Sequence, residues 1–206
     1  VTGNTRRFGA SLEKIKQVVD VRDGEIMFGL NMVVHKGKTI FVGDTSVHEY
    51  PTSEQMAEIA ISTARVVRLF GFEPKVAFVS HSTFGQPLTS RTKHIRKAVD
   101  ILKEQKVDFE FDGDMQPDVA LNSEYEELYP FSNIVGKANI LIMPGQHSAA
   151  ISYKMMKTLG DTKVIGPLLI GLGLPIEIAP LRSSTSELIN LASVAAYSAD
   201  IIDYKK

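Results

Sequence analysis

Three polar segments carry residue types that can do chemistry. Ser80-His81-Ser82-Thr83-Phe84-Gly85 follows an apolar run and sets hydroxyls beside a glycine. Such a loop can hold a phosphate or a thioester carbonyl through backbone N–H groups, because glycine lets the chain approach closely. The same composition suits an ordinary turn whose hydroxyls satisfy its own backbone. Asp112, Asp114 and Asp118 fall within seven residues, a density of carboxylates that hard cations use. Against a metal, Asp112-Gly113 is a turn pair and Asp118 suits the first turn of a helix. The D-x-D-x-D-G order of a calcium loop is also absent, and no metal is expected within the chain. Pro144-Gly145-Gln146-His147-Ser148 lies between an apolar run and a helical pattern, where open α/β sheets place their ligands.

The five histidines, at 35, 48, 81, 94 and 147, show neither H-x-x-x-H nor H-E-x-x-H spacing, which argues against catalytic zinc. His81 and His147 sit in candidate loops, where each can meet a ligand or be satisfied by its own loop. G-x-G-x-x-G, G-x-x-x-x-G-K-[ST] and G-x-S-x-G are all missing, so dinucleotide, ATP and α/β-hydrolase chemistry have no local support.

Positioning these loops takes strands that end before them and helices that start after them. Residues 139–143 form a short apolar run stopped by Pro144, the pattern of a strand buried on both faces. Apolar residues at 149, 150, 153, 155, 156 and 159 then predict a helix, with Gly160 at its C-cap and Met155 and Met156 filling the core. Earlier, a short helix is predicted over 11–19, and runs at 27–35 and 39–42 separated by Lys36-Gly37-Lys38 predict a hairpin. Thr52 and Gln55 make a capping box for a helix reaching about Phe70 and ending at Gly71. Strands at 76–79 and 107–111, helices at 91–104 and from Pro117, a last strand at 175–179 and a last helix at 186–200 complete the series. Ser184 and Glu187 give that last helix its own capping box. Strands alternating with helices after residue 40 predict a three-layer α/β/α fold with a mostly parallel sheet, mixed because of the hairpin. The loops 80–87, 112–116 and 144–148 should gather on one edge of it.

Composition sets the outer limits. The 206 residues are 44% hydrophobic and 23% charged, ordinary for a globular chain able to bury a core. A net charge of −1, with Lys and Arg spread along the chain, gives no basic face for nucleic acid. Without cysteine there are no disulfides or thiolate metal sites, and a reducing cytoplasm fits. Apolar runs stay under ten residues, so no membrane segment or signal peptide is expected. The first residue is Val1, so a fragment of a longer protein is expected.

Four segments together carry a resemblance: D-G-D-M-Q-P-D-V-A-L (112–121), G-K-A-N-I-L-I-M-P (136–144), Y-K-M-M-K-T-L-G (153–160) and V-I-G-P-L-L-I-G (164–171). In order and spacing they resemble the phosphate acetyl/butyryl transferase family. V-T-G-N-T-R at the start, F-V-G-D-T-S-V-H-E-Y-P (41–51), V-S-H-S-T-F-G (79–85) and H-S-A-A-I-S (147–152) are most similar to the C-terminal transferase-like domain of bacterial NADP-dependent malic enzymes. The resemblance implies an isocitrate/isopropylmalate dehydrogenase-like, two-lobed domain, with residues of about 21–179 in the second lobe and about 184–206 as the last helix of the first. It implies a parent enzyme that decarboxylates malate to pyruvate with NADP and a divalent metal, Mg or Mn, the present chain holding no cofactor. The expected partners are acetyl-CoA as effector, the N-terminal malic enzyme domains of the same chain, and a second copy in a dimer through this lobe. An acetyl-CoA or phosphate cleft would be lined by Ser80, Ser82, Thr83, Gly85, Asp112, Gln116, Gln146, His147 and Arg182.

The family's transferases resemble one another in a Ser-Arg-Gly motif after the final strand, with an Asp six residues beyond the Arg. Counted from Pro175, Pro180 stands at the Ser position, Leu181 at the Arg position and Glu187 at the Asp position. Proline has no hydroxyl and leucine no charge, while Glu187 is explained by its capping box and Arg182 lies one residue late. Three functions are therefore weighed: a silent domain sensing acetyl-CoA, an active phosphate acetyltransferase, and an assembly module.

Overall fold

A computed structural model describes residues 1–201. Its elements run β1 (Thr2–Gly3), α1 (Phe8–Lys16), β2 (Phe28–His35), β3 (Lys38–Gly43), α2 (Ser53–Leu69), β4 (Lys75–Val79), α3 (Ser90–Gln105), β5 (Glu110–Met115) and α4 (Pro117–Leu121). After a 3₁₀ turn (Ser123–Leu128) follow β6 (Ile140–Ile142), α5 (Gln146–Leu159), β7 (Thr162–Ile170), β8 (Ile178–Ala179) and α6 (Thr185–Ile201). The expected last-helix segment 184–206 runs beyond this, and residues 202–206 lie outside the described residues. No described helix is long and apolar enough to cross a membrane.

Six strands make the main sheet in the order β5-β4-β6-β3-β2-β7. The ladders β3–β6, β4–β6 and β4–β5 are parallel, and β2 lies antiparallel between β3 and β7. The sheet is thus mostly parallel and mixed, as the element series predicts. Because its inner strands are covered on both sides, consecutive residues point into opposite cores. Ile140 and Ile142 join Phe41, Phe78, Met56 and Leu102 on the face covered by α2, α3 and α6, whereas Leu141 joins Val42, Val79 and Val119 on the face covered by α4 and α5. Three layers result. A smaller cluster at one end joins α1 and β8 to the sheet through Leu12, Ile15, Leu169, Leu172 and Ile178.

Local chemistry explains the joints. Lys36 and Gly37, at φ 47° and 78°, form a two-residue hairpin turn of the type that matches strand twist. Thr52 and Gln55 cap α2 reciprocally, and Gly71 ends it at φ 82°.

Several expectations need correction. β5 spans 110–115 and not 107–111, so the Asp112-Gly113 pair lies inside a strand, opposite Ala77 and Phe78. Gly113 is there because a Cβ would sit 2.7 Å from the Phe78 carbonyl oxygen, at φ 147°. As an edge strand, β5 can carry the acids that read as a turn. The strand β7 is absent from the expected series because Gly166-Pro167 reads as a break; an edge strand beside an irregularity at Leu30/Met32 tolerates both. Gly160 closes α5 in extended backbone, φ −112°, and not in a left-handed cap. Met155 and Met156 are 55% and 38% exposed, and α5 buries Ala149 alone of its fourteen residues. The last strand shortens to β8, paired with β1 in a separate two-stranded sheet.

Candidate functional site

The path of the chain creates a crevice at the carboxyl end of β6. From β3 and β4 the chain passes to α2 and α3 on one face, whereas from β6, which lies between them, it passes to α5 on the other. Adjacent connections that diverge in this way leave the opening where open α/β sheets bind ligands. A cavity of about 330 Å³ occupies it, walled by Tyr50, Pro51, Ser90, Arg91, Ile95 and Pro144. The walls are fixed by hydrogen bonds. His94 Nε2 donates to the Pro51 carbonyl at 2.9 Å, Ser53 Oγ donates to the His94 carbonyl at 2.8 Å, and Thr89 and Thr92 cap α3 reciprocally. Above the opening the Arg91 guanidinium lies 5.4 Å from the Tyr50 ring centre, and Tyr50 stacks on His147, which meets Glu49 at 3.2 Å.

The hydroxyl-rich loop lies on the same edge, and its polar atoms are turned on one another. Asp114, 0% exposed, is its anchor: Ser82 Oγ donates to one carboxylate oxygen and the Gly85 N–H to the other at 3.1 Å. Ser80 Oγ is 3.3 Å from Ser82 Oγ, Thr83 Oγ1 accepts from the Gln116 N–H at 3.3 Å, and Gln116 Nε2 donates to the His81 carbonyl at 2.8 Å. Of the two readings open for this loop, the geometry fits the self-satisfied turn. The three aspartates are parted: Asp112 accepts from the Gly113 N–H, Asp114 serves the loop, and Asp118 accepts from Tyr125 Oη at 3.2 Å.

Gln146 and His147 belong to the first turn of α5 and not to a free loop. The Gln146 N–H and Nε2 donate to the carbonyls of His48 and Ser46, at 3.2 and 3.3 Å, clamping the turn after β3. That turn rests on Asp44, which the sequence reading passed over. Asp44 is buried, accepts N–H bonds from Gly29, Ser46, Val47 and His48, and meets His48 Nδ1 at 2.7 Å. The available signal was an acid directly after a strand-ending glycine.

Arg182 is elsewhere. Residues 180–187 run along β7, against Val164, Ile165 and Gly166, at the edge of the sheet four strands from β4, a separation of about 19 Å at ~4.8 Å per strand. The structure therefore brings Ser80, Ser82, Thr83, Gly85 and Gln116 together around Asp114, sets Gln146 and His147 beside the turn after β3, and leaves Arg182 apart. Arg182 is exposed at φ 60°. Its neighbouring hydroxyls are occupied, Ser183 Oγ donating to the Pro180 carbonyl at 2.8 Å and Ser184 Oγ to Glu187 Oε2 at 2.9 Å. Lys157 Nζ donates to Glu187 Oε1 at 2.6 Å, and this bond, with the Ser184 N–H, holds the Glu187 carboxyl down at about 2.

A more apolar cavity of about 430 Å³ lies between α2, β7 and α6. Glu177 lines it, 3% exposed, with Oε2 accepting the Leu169 N–H at 3.0 Å. Burial pushes the Glu177 carboxyl up to about 8. Its sequence neighbourhood, an apolar strand, gave no sign of this.

Comparison with known proteins accords with the fold. Residues 1–196 match the family described as phosphate acetyl/butaryl transferase. The chain is 45% identical over 199 residues to an NADP-dependent malic enzyme of Rhizobium meliloti, covering 97% of this chain and 26% of that protein. It is 32% identical over 209 residues to a phosphate acetyltransferase of Clostridium acetobutylicum, covering 97% of this chain and 62% of that protein. A phosphotransacetylase structure from Streptococcus pyogenes superimposes with a TM-score of 0.87 at 27% identity, over 96% of this chain and 61% of that one. The chain thus spans about a quarter of the malic enzyme and under two thirds of the transferases. By the match over nearly its whole length, it belongs to the phosphate acetyl/butaryl transferase family.

Proposed function

We propose that this chain is a non-catalytic, phosphotransacetylase-like domain of an NADP-dependent malic enzyme, which senses acetyl-CoA and helps the enzyme assemble in the cytoplasm. The observation that carries the reading is the segment after β8. Pro180 and Leu181 stand where the resemblance puts a serine and an arginine, the nearby hydroxyls are spent on local bonds, and Glu187 is held by Lys157. A carboxylate tied to a lysine is a poor base, and an apolar side chain cannot neutralise a phosphate. Residues of about 21–179 are taken as the second lobe and the helix from about 184 as part of the first. NADP, Mg or Mn and malate belong in this reading to other parts of the parent enzyme.

Acetyl-CoA acts here by binding one assembly state better than another, which is how any ligand shifts an equilibrium. The face available for assembly is α5, where Ile151, Met155 and Leu159 recur at four-residue spacing and are exposed. A stripe of this kind is self-complementary across a two-fold axis, and a second copy is its proposed partner. The alternative reading, an active phosphate acetyltransferase, is favoured by the family match and by the likeness to the Clostridium acetobutylicum and Streptococcus pyogenes proteins, but by no feature of the segment after β8. One experiment separates them: malate oxidation and acetyl phosphate formation are measured in the full-length protein and in a version lacking this domain, with and without acetyl-CoA. Loss of the acetyl-CoA response on deletion, with negligible acetyl phosphate formation, is expected. Acetyl phosphate turnover at the level of family transferases would refute the silent-site reading, and an unchanged response after deletion would refute sensing.

A further inference from the structure

We propose that the crevice over β6 holds the phosphorylated end of the effector, with Arg91 as its anion contact. The inference rests on the reading that the domain senses acetyl-CoA, a thioester whose nucleotide end carries phosphates. The ligand class is a phosphate monoester or diphosphate joined to an apolar or ring-bearing body.

The first support is the state of Arg91. Of the cations on α3, Lys97 is paired with Glu54 at 2.6 Å and Lys103 with Asp100 at 3.3 Å, whereas Arg91, like Lys93 and Arg96, meets no carboxylate among the described residues; of these three, Arg91 is the one that lines the cavity. Arg91 has no carboxylate and no hydrogen-bond acceptor among the described residues, and its one contact is the Tyr50 ring at 5.4 Å. A ring face steadies a guanidinium without consuming its N–H donors, so the fork stays free for a bidentate anion. Tyr50 is steadied in turn by His147, and His147 by Glu49. No acid lines the cavity, and of the two flanking it in sequence Glu54 is ion-paired with Lys97 at 2.6 Å and Glu49 is hydrogen-bonded to the His147 ring.

The second support is the cavity beside that guanidinium. Pro51, Ile95 and Pro144 give it apolar walls, which weaken screening of a charge pair formed at its mouth. Ser90 lines it with a hydroxyl that has no partner among the described residues. At about 330 Å³ the space suits one end of a cofactor-sized ligand, the rest lying outside over the edge of the sheet. Neither Tyr50 nor Arg91 belongs to the hydroxyl loop, where Ser82 Oγ and the Gly85 N–H are spent on Asp114.

The test is titration calorimetry of the chain with acetyl-CoA and, separately, with adenosine 3′,5′-bisphosphate, using wild type, Arg91→Ala and Arg91→Lys, with circular dichroism checking the fold of each. Wild type should bind both probes. Arg91→Ala should weaken both roughly ten- to hundredfold, the range for losing hydrogen bonds to a charged group, and Arg91→Lys should recover part of the loss. Equal binding of the bisphosphate by wild type and Arg91→Ala, or none by wild type, overturns the crevice assignment. If acetyl-CoA still binds under either result, the sensing proposal survives it. If the bisphosphate binds through Arg91 and acetyl-CoA does not bind at all, the crevice stands and acetyl-CoA sensing falls.

Discussion

Replacing Glu177 by Gln should flatten the dependence of stability on pH. Glu177 is 3% exposed, its one hydrogen bond comes from the Leu169 N–H, and burial lifts its carboxyl from 4.5 to about 8. Near neutral pH the folded chain therefore keeps a proton that the unfolded chain has lost. Because the folded value lies above the unfolded one, this group's contribution to stability is fully present below pH 4.5 and is lost as pH rises through about 8. The gap from 4.5 to about 8, at ~1.4 kcal/mol for each pH unit, amounts to something on the order of 5 kcal/mol. Gln has the shape of the protonated acid, keeps an acceptor for Leu169 and cannot ionise. Urea unfolding followed by circular dichroism from about pH 5 to about pH 9 should show wild type losing several kcal/mol relative to Glu177→Gln toward the alkaline end. Parallel curves for the two proteins would refute the reasoning, since a carboxyl that is wet or already ionised predicts no divergence.

Three further outcomes follow from the packing. Ser82→Ala removes the hydroxyl donor of buried Asp114 and should cost ~1–3 kcal/mol in urea unfolding. Gly113→Ala places a methyl 2.7 Å from the Phe78 carbonyl oxygen at φ 147°; it should destabilise the fold by ~2 kcal/mol or more, read as a lowered thermal midpoint. Met155→Lys with Ile151→Lys puts charge on the exposed stripe of α5 and should leave the monomer folded while lowering the mass found by analytical ultracentrifugation; an unchanged mass would move the assembly surface elsewhere.

Elements governed by local pattern were legible in the sequence. The apolar run at 139–143 is β6 and the Thr52–Gln55 pair caps α2, because burial on both faces and reciprocal capping leave marks at short range. Gly113 was misread because a glycine needed for close approach looks like one needed for a turn. Met155 and Met156 were misplaced for a related reason: helical spacing reveals an apolar face, but not whether that face meets the core or the outside. The candidate site was legible as a sheet edge and not as a set of contacts. Asp114 satisfies Ser82 from the adjacent strand, and Arg91 on α3 reaches Tyr50 in the turn before α2, pairings that exist only once the sheet order is known.

The strand order also has a bearing on synthesis. β2 finds its first partner, β3, across a two-residue turn, but its other partner, β7, is made only when residues 162–170 have been translated. Until then a growing chain holds Phe28–His35 with one row of backbone amides and carbonyls open, on some of the most deeply buried apolar sequence in the protein. An open hydrophobic strand edge is a template for pairing with another chain. Ribosome stalling or proteolytic clipping before residue 162 would thus yield sticky products, and solubility of C-terminally shortened chains should rise sharply once β7 is included.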